Sequence, residues 1–193
     1  MHMPMLSTDL LSAHRMAILA SIDVVNAITA TDLERVTPCA GWDLADLLAH
    51  MTVQHRGCAA AARGSGQDLA LWVPVRDTQD PVGDYAAAAH DLLNAFAEAD
   101  PESQFELPEL GTTVPAEMAV GFHLIDYAVH GWDVAASLGA PFTLPDDVVG
   151  HERANDPRSD GAEVTRHGCC SDRSSRADRS CVPTLCEATP GEV

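Results

Sequence analysis

HLIDYAVHGWDVAASLG, residues 123–139, is the stretch whose reading decides the fold. Its Leu, Ile, Ala and Val content is that of a core helix. Yet at about 100° per residue, His123, Asp126, His130 and Asp133 project within a sector of roughly 80°. Phe122, Ile125 and Val129 fall near or beside this stripe, so the four polar groups are expected against apolar neighbours, not in water. Asp126 and His130 are four residues apart, one turn above each other, a spacing that lets two side chains share one metal ion. A third donor is available upstream in DLLAHMTVQH, where His50 lies on the same side as Leu47 and Met51. Two imidazoles and one carboxylate from two helices would leave coordination positions open, the pattern of a working metal site and not of a closed structural one. Nothing in composition selects zinc over nickel, iron or manganese.

The flanking sequence predicts three more helices. Helix one is expected from Ser7 to Ala30, with Leu11, Ile18, Ile22, Val25 and Ile28 on one side. Helix two follows TPCAGW, with Asp43 as N-cap and Asp46 in its first turn. Its inner side is Leu44, Leu47, Leu48, Met51, His55 and Cys58, and Gly64-Ser65-Gly66 stops it. Helix three is expected to be capped by Asp84, to bury Tyr85, Ala89, Leu92, Leu93 and Phe96, and to end before Pro101. FELPELGTTV reads as a loop or a short strand-like excursion. Helix four begins near Pro115 and ends at Gly139. The fold class is therefore all-α, a four-helix bundle over residues 1–150.

Composition narrows the function classes. The chain has 193 residues, no lysine, eleven arginines and 29 acids, for a net charge of −18. Such a balance argues against nucleic acid and anionic membranes as partners. No apolar run reaches the ~18 residues of a membrane helix, and the N-terminus lacks a signal-peptide pattern, so a cytoplasmic location is expected. Six cysteines without a CxxC pair are read as thiols.

Residues 151–193 change character. They hold one leucine and no Ile, Met, Phe, Trp or Tyr, with six of the eleven arginines and four of the six cysteines. Too little apolar surface is present to offset ordering entropy, so this tail is expected to be disordered. Two origins stand open: a natural tail, or the product of a frameshift in GC-rich DNA. Reading the other two frames beyond codon 150 separates them.

TPCAGWDLADLLAH (residues 37–50) and DYAVHGWDVAASLG (residues 126–139) together resemble the two signature segments of the mycothiol-dependent maleylpyruvate isomerase metal-binding domain, of the DinB-like superfamily of four-helix bundles. The resemblance covers about residues 7–150. It implies a divalent metal, commonly zinc, held by His50, Asp126 and His130, with Asp126 standing where the isomerase uses the longer Glu. Asp133 is placed to hold a ligand histidine through its second ring nitrogen. Trp42 and Trp132 are expected to pack in the core, with substrate contact as the alternative, and Cys39 to pack, with a thiolate stabilised before helix two as the alternative. His123 is expected to line the pocket or support a ligand, and His55 to pack; His14 and His90 have no evident partner. The isomerase carries a further C-terminal domain, which residues 151–193 do not resemble. The implied function is a metal- and thiol-dependent S-transferase or isomerase using mycothiol or a similar thiol and an electrophilic substrate. The alternative is a non-catalytic metal-binding bundle, a sensor or dimerisation module pairing through helices one and three as a homodimer.

Overall fold

Each helix starts where a side chain satisfies its orphan amides. In the computed structural model, which describes residues 6–145 and Val148, α1 spans Thr8–Val25 with Ser7 accepting from the Leu10 amide. α2 spans Leu44–Ala62 behind a reciprocal capping box: Asp43 accepts from the Asp46 amide, and the Asp46 carboxylate accepts from the Asp43 amide. α3 spans Pro81–Glu98 and α4 spans Ala116–Leu138, ending at Gly139 in the left-handed region (φ 68°).

Two boundaries differ from expectation. α1 stops at Val25, not Ala30. The Thr29 amide and hydroxyl both donate to the Asp32 carboxylate, a local bond that competes with helix continuation. Ile28 stays buried all the same. The cap of α3 is Asp80, not Asp84: Asp80 accepts from the Gly83 amide at 2.9 Å, and Pro81 occupies the first helical position. Asp84 sits inside the first turn, where its charge favours the helix dipole.

FELPELGTTV forms a hairpin. β1 (Gln104–Leu107) pairs antiparallel with β2 (Thr112–Pro115), Phe105 opposite Val114. Phe105, Leu107 and Val114 are buried, so the hairpin covers an edge of the core, packed on α2 and α4. The fold is thus a four-helix bundle with a small two-stranded sheet added to the all-α plan.

α1 packs chiefly on α4, and α2 on α3. The inner residues expected of α2 and α3 are all buried, with Leu44, Leu47, Met51, Tyr85, Ala89 and Leu92 at 0% exposure. Each Leu or Phe so buried contributes roughly 1.5–3 kcal/mol. A 3-10 turn at Leu69–Trp72 lays Trp72 across Gly57 of α2, where any Cβ would fall 2.4 Å from the indole. The Trp72 Nε1–H donates to the Gly66 carbonyl, so the buried ring leaves no orphan donor.

α4 meets expectation in its polar stripe and departs from it in the flanking apolar residues. Phe122, Ile125 and Val129 are exposed, not packed beside the polar stripe, and Trp132 is 52% exposed instead of in the core. The stripe itself faces inward: His123, His130 and Asp133 are buried. Among the described residues no helix is long and apolar enough to cross a membrane. The expected boundary at residue 150 and the expected disorder of residues 151–193 lie outside the described residues.

Candidate metal centre

His50 comes from the second turn of α2; Asp126 and His130 come from one face of α4. One donor atom from each lies within 4.8 Å of the other two. The His130 Nε2 is 3.4 Å from the Asp126 Oδ1. The His50 and His130 rings meet edge to face, centroids 5.3 Å apart at 83°. Both Nε2 atoms are buried and have no protein hydrogen-bond partner. Orphaned imidazole nitrogens are costly in a low-dielectric interior, and two of them aimed at one carboxylate form a donor set that a divalent cation fits.

Asp133 fixes the orientation of His130. Its Oδ2 lies 2.9 Å from the His130 Nδ1, so the Nδ1–H donates to the carboxylate and the Nε2 lone pair is turned toward Asp126 and His50. The Cys39 thiol donates to the same Oδ2 at 3.5 Å. Cys39 therefore touches the site's support and is more than the packing residue expected from sequence; Cys39, His130 and Asp133 also gather their donor atoms within 4.8 Å. Trp42, half-buried, packs against the His50 ring at 5.0 Å.

Burial pushes the His50 imidazole down to about 4, with the neighbouring His130 adding to the effect. Burial also acts to lower His130, but the Asp133 hydrogen bond and the Asp126 and Asp133 charges outweigh it and hold the imidazole above its usual value. Burial raises Asp126, opposed by His130 and reinforced by Asp133. A neutral His50, ready to donate a lone pair, thus faces an imidazole–carboxylate pair that shares its charge internally.

His14, His55 and His123 form a separate buried group. His14 Nε2 and His123 Nδ1 share a hydrogen bond at 3.0 Å, which gives His14 the partner its sequence context did not reveal. His123 stacks on Tyr127 (4.2 Å, 8°), and His55 stacks on the same tyrosine (4.1 Å, 19°). The Tyr127 hydroxyl donates to the Met51 carbonyl, and Tyr85 shares a hydrogen bond with Ser21 at 2.6 Å. Burial alone lowers His14 to about 3; it lowers His55 and His123 well below the usual range, helped by neighbouring imidazoles. His55 packs, as expected, while His123 turns toward His14 instead of supporting a ligand. The exposed His90 ring bonds the Ala86 carbonyl at 2.7 Å.

Sequence reasoning missed the Cys39–Asp133 contact and the His14–His123 pair. Both join residues 94 or more positions apart, and no periodicity within one helix signals them.

Comparison with known proteins agrees with the two signature segments. Residues 15–135 match the family model described as the mycothiol maleylpyruvate isomerase N-terminal domain. Two uncharacterized proteins of Mycobacterium tuberculosis, from strains CDC 1551 / Oshkosh and H37Rv, are each 29% identical to this chain over 149 residues. The alignment covers 73% of this chain and 74% of the relative in both cases. No solved structure gives a significant match.

Proposed function

This chain belongs to the mycothiol maleylpyruvate isomerase N-terminal domain family, and we propose that within it the protein is a metal-dependent enzyme of low-molecular-weight thiol chemistry. His50, Asp126 and His130 are the ligands, zinc is the expected ion, and mycothiol or a similar thiol with an electrophilic partner are the substrates. The observation that carries the reading is the convergence of three donor atoms, two of them buried nitrogens without a hydrogen-bond partner.

A bound divalent cation supplies Lewis acidity, which lowers the pKa of a coordinated thiol and favours its thiolate. The chain's own groups do the rest. His50 offers a neutral imidazole because burial disfavours its protonation. Asp133 holds the His130 tautomer so that Nε2 is the free donor. Asp126 brings the negative charge that offsets a dication in a partly dry site. With three protein donors, coordination positions remain for a thiol and for an oxygen of the electrophile. Trp42 packs against the His50 ring.

Metal content of the purified protein, measured beside His50→Ala, Asp126→Ala and His130→Ala, tests the ligand set. Each variant is expected to lose stoichiometric metal while keeping its helical circular dichroism. Incubating the zinc-loaded protein with a thiol and a generic electrophile tests the enzyme. A rate equal to that of His130→Ala removes the catalytic part of the reading and leaves a metal-binding bundle.

A further inference from the structure

The outward face of α4 is apolar from end to end. Beyond Glu117, every exposed residue of this helix is apolar: Met118, Phe122, Ile125, Val129, Trp132 and Ala136. The five large ones are 37–52% exposed. They follow one another at intervals of four, three, four and three residues, the spacing of a coiled-coil seam. By contrast, exposed positions of α1 are Thr8, Asp9, Ser12, Arg15, Leu19 and Asp23, so the expected pairing surfaces on α1 and α3 are largely polar outside. At its N-terminal end the seam runs into a groove of about 540 Å³ reached by Ser7, Leu10 and Pro115. Contiguous apolar surface of this kind marks an interaction site.

We propose that this seam is a homodimer interface in which the α4 helices of two copies pack antiparallel. Phe122 then layers on Trp132 of the partner subunit, and Ile125 on Val129 of the partner subunit, about a two-fold axis passing beside Tyr127. Three features favour a second copy in this orientation. With Ala136 included, the spacing of four, three, four, three and four reads the same in both directions, so the seam is self-complementary, with Met118 opposite Ala136 of the partner subunit. The antiparallel arrangement sets the two helix dipoles against each other and separates the two Glu117 carboxylates, the exposed charges of α4. Residues 151–193 hold one large aliphatic side chain, Leu185, besides three valines and no aromatic, so that stretch lacks the large apolar complement the seam needs. No exposed basic or acidic side chain lies along the seam beyond Glu117, so nothing there matches a charged peptide.

The seam from Met118 to Trp132 is about 21 Å long. One helix pair of that length buries less than the ~800 Å² per partner of a standard interface, so association is reversible and depends on concentration. Two bodies of net charge −18 repel each other, and screening relieves this; salt is therefore expected to tighten the dimer.

The experiment is sedimentation equilibrium on the full-length, metal-loaded protein over a concentration series, at low and high salt. The expected result is a monomer–dimer equilibrium that tightens with salt. Ile125→Lys and Val129→Glu, each alone, weaken it at least about tenfold, with unchanged metal content and, at dilutions where the wild type is monomeric, an unchanged melting temperature, because both positions are exposed. An equimolar mixture of the two variants restores dimer, since the introduced lysine faces the introduced glutamate across one antiparallel layer. A wild type that stays monomeric at every concentration overturns the proposal, as does a dimer indifferent to Val129→Glu. Failure of the mixture to re-form dimer, with the wild type dimeric, overturns the antiparallel register. A monomer that sediments with phosphatidylcholine vesicles, and loses this with Val129→Glu, assigns the seam to a lipid surface instead. None of these outcomes depends on the ligand set at His50, Asp126 and His130.

Discussion

α3 and α4 are neighbours in the chain and opposites in design. α3 buries Tyr85, Ala88, Ala89, Leu92, Leu93, Ala95 and Phe96 and exposes His90, Asp91, Asn94 and Glu98. α4 buries His123, His130 and Asp133 and exposes Met118, Phe122, Ile125, Val129 and Trp132. α3 holds the bundle together by removing carbon from water. α4 gives up part of that stabilisation to carry imidazoles and carboxylates into the interior, where each must find a partner. The Asp133–His130 and His14–His123 bonds supply some of those partners. The His50 and His130 Nε2 atoms have no hydrogen-bond partner, as is true of both His55 nitrogens and the His123 Nε2; only the first two converge with a carboxylate, that of Asp126. α4 thus carries polar groups inside and apolar groups outside, the reverse of α3.

The largest expected effect comes from the inner face of α3. Leu92→Ala should destabilise the protein by about 2–5 kcal/mol, read from urea unfolding; a loss below about 1 kcal/mol would mean that α3 does not anchor the core. On the inner face of α4, Asp133→Asn should leave stability nearly intact but weaken metal binding about 10–100-fold. The amide can no longer hold the Nδ1–H tautomer with a charge. Calorimetric titration measures this, and unchanged affinity would show that Asp133 does not orient His130.

Acid should act on the imidazoles that α1, α2 and α4 carry into the interior and not on the buried face of α3. His14, His50, His55 and His123 are held below the ordinary imidazole value in the folded protein, so the unfolded chain takes up protons first. Their contribution is present above about pH 6.5 and is lost as pH falls below it, towards about 3 for His14. His130, raised by its carboxylates, works in the opposite direction, one group against four. The melting temperature of metal-free protein should therefore drop by several degrees between pH 7 and pH 5. A flat profile would contradict the burial of these rings.

The smallest effects belong to the outer faces. Phe122→Ser, at a position 42% exposed, should change the stability of the isolated chain by no more than about 0.5 kcal/mol. Arg63→Ala, which breaks the exposed bidentate pair with Asp91 on α3, should cost at most about 1 kcal/mol. A larger cost for Phe122→Ser that depends on protein concentration would indicate that the outer face of α4 is covered by another copy.

Much of the fold was legible because its signals are local. Asp43 with Asp46, the Gly64 stop and Gly139 each act within one turn of the residue concerned. The three-four spacing of Leu47, Leu48, Met51 and of Tyr85, Ala89, Leu92 predicted buried faces correctly. The cap of α3 was misplaced by four residues because Asp80 and Asp84 offer the same chemistry, and Pro81 decides between them. FELPELGTTV became a hairpin because Phe105 and Val114 find a core to cover, which no local propensity announces.

Periodicity along residues 123–139 determined that His123, Asp126, His130 and Asp133 share one side of a helix, since side-chain direction follows from backbone geometry alone. Which side faces the bundle, and so whether Trp132 or Asp133 is buried, was decided only by packing against α1 and α2. The same holds for His50 meeting Asp126 and His130, and Cys39 meeting Asp133. Those meetings join segments more than seventy residues apart, and chain closure over that distance is set by the whole core.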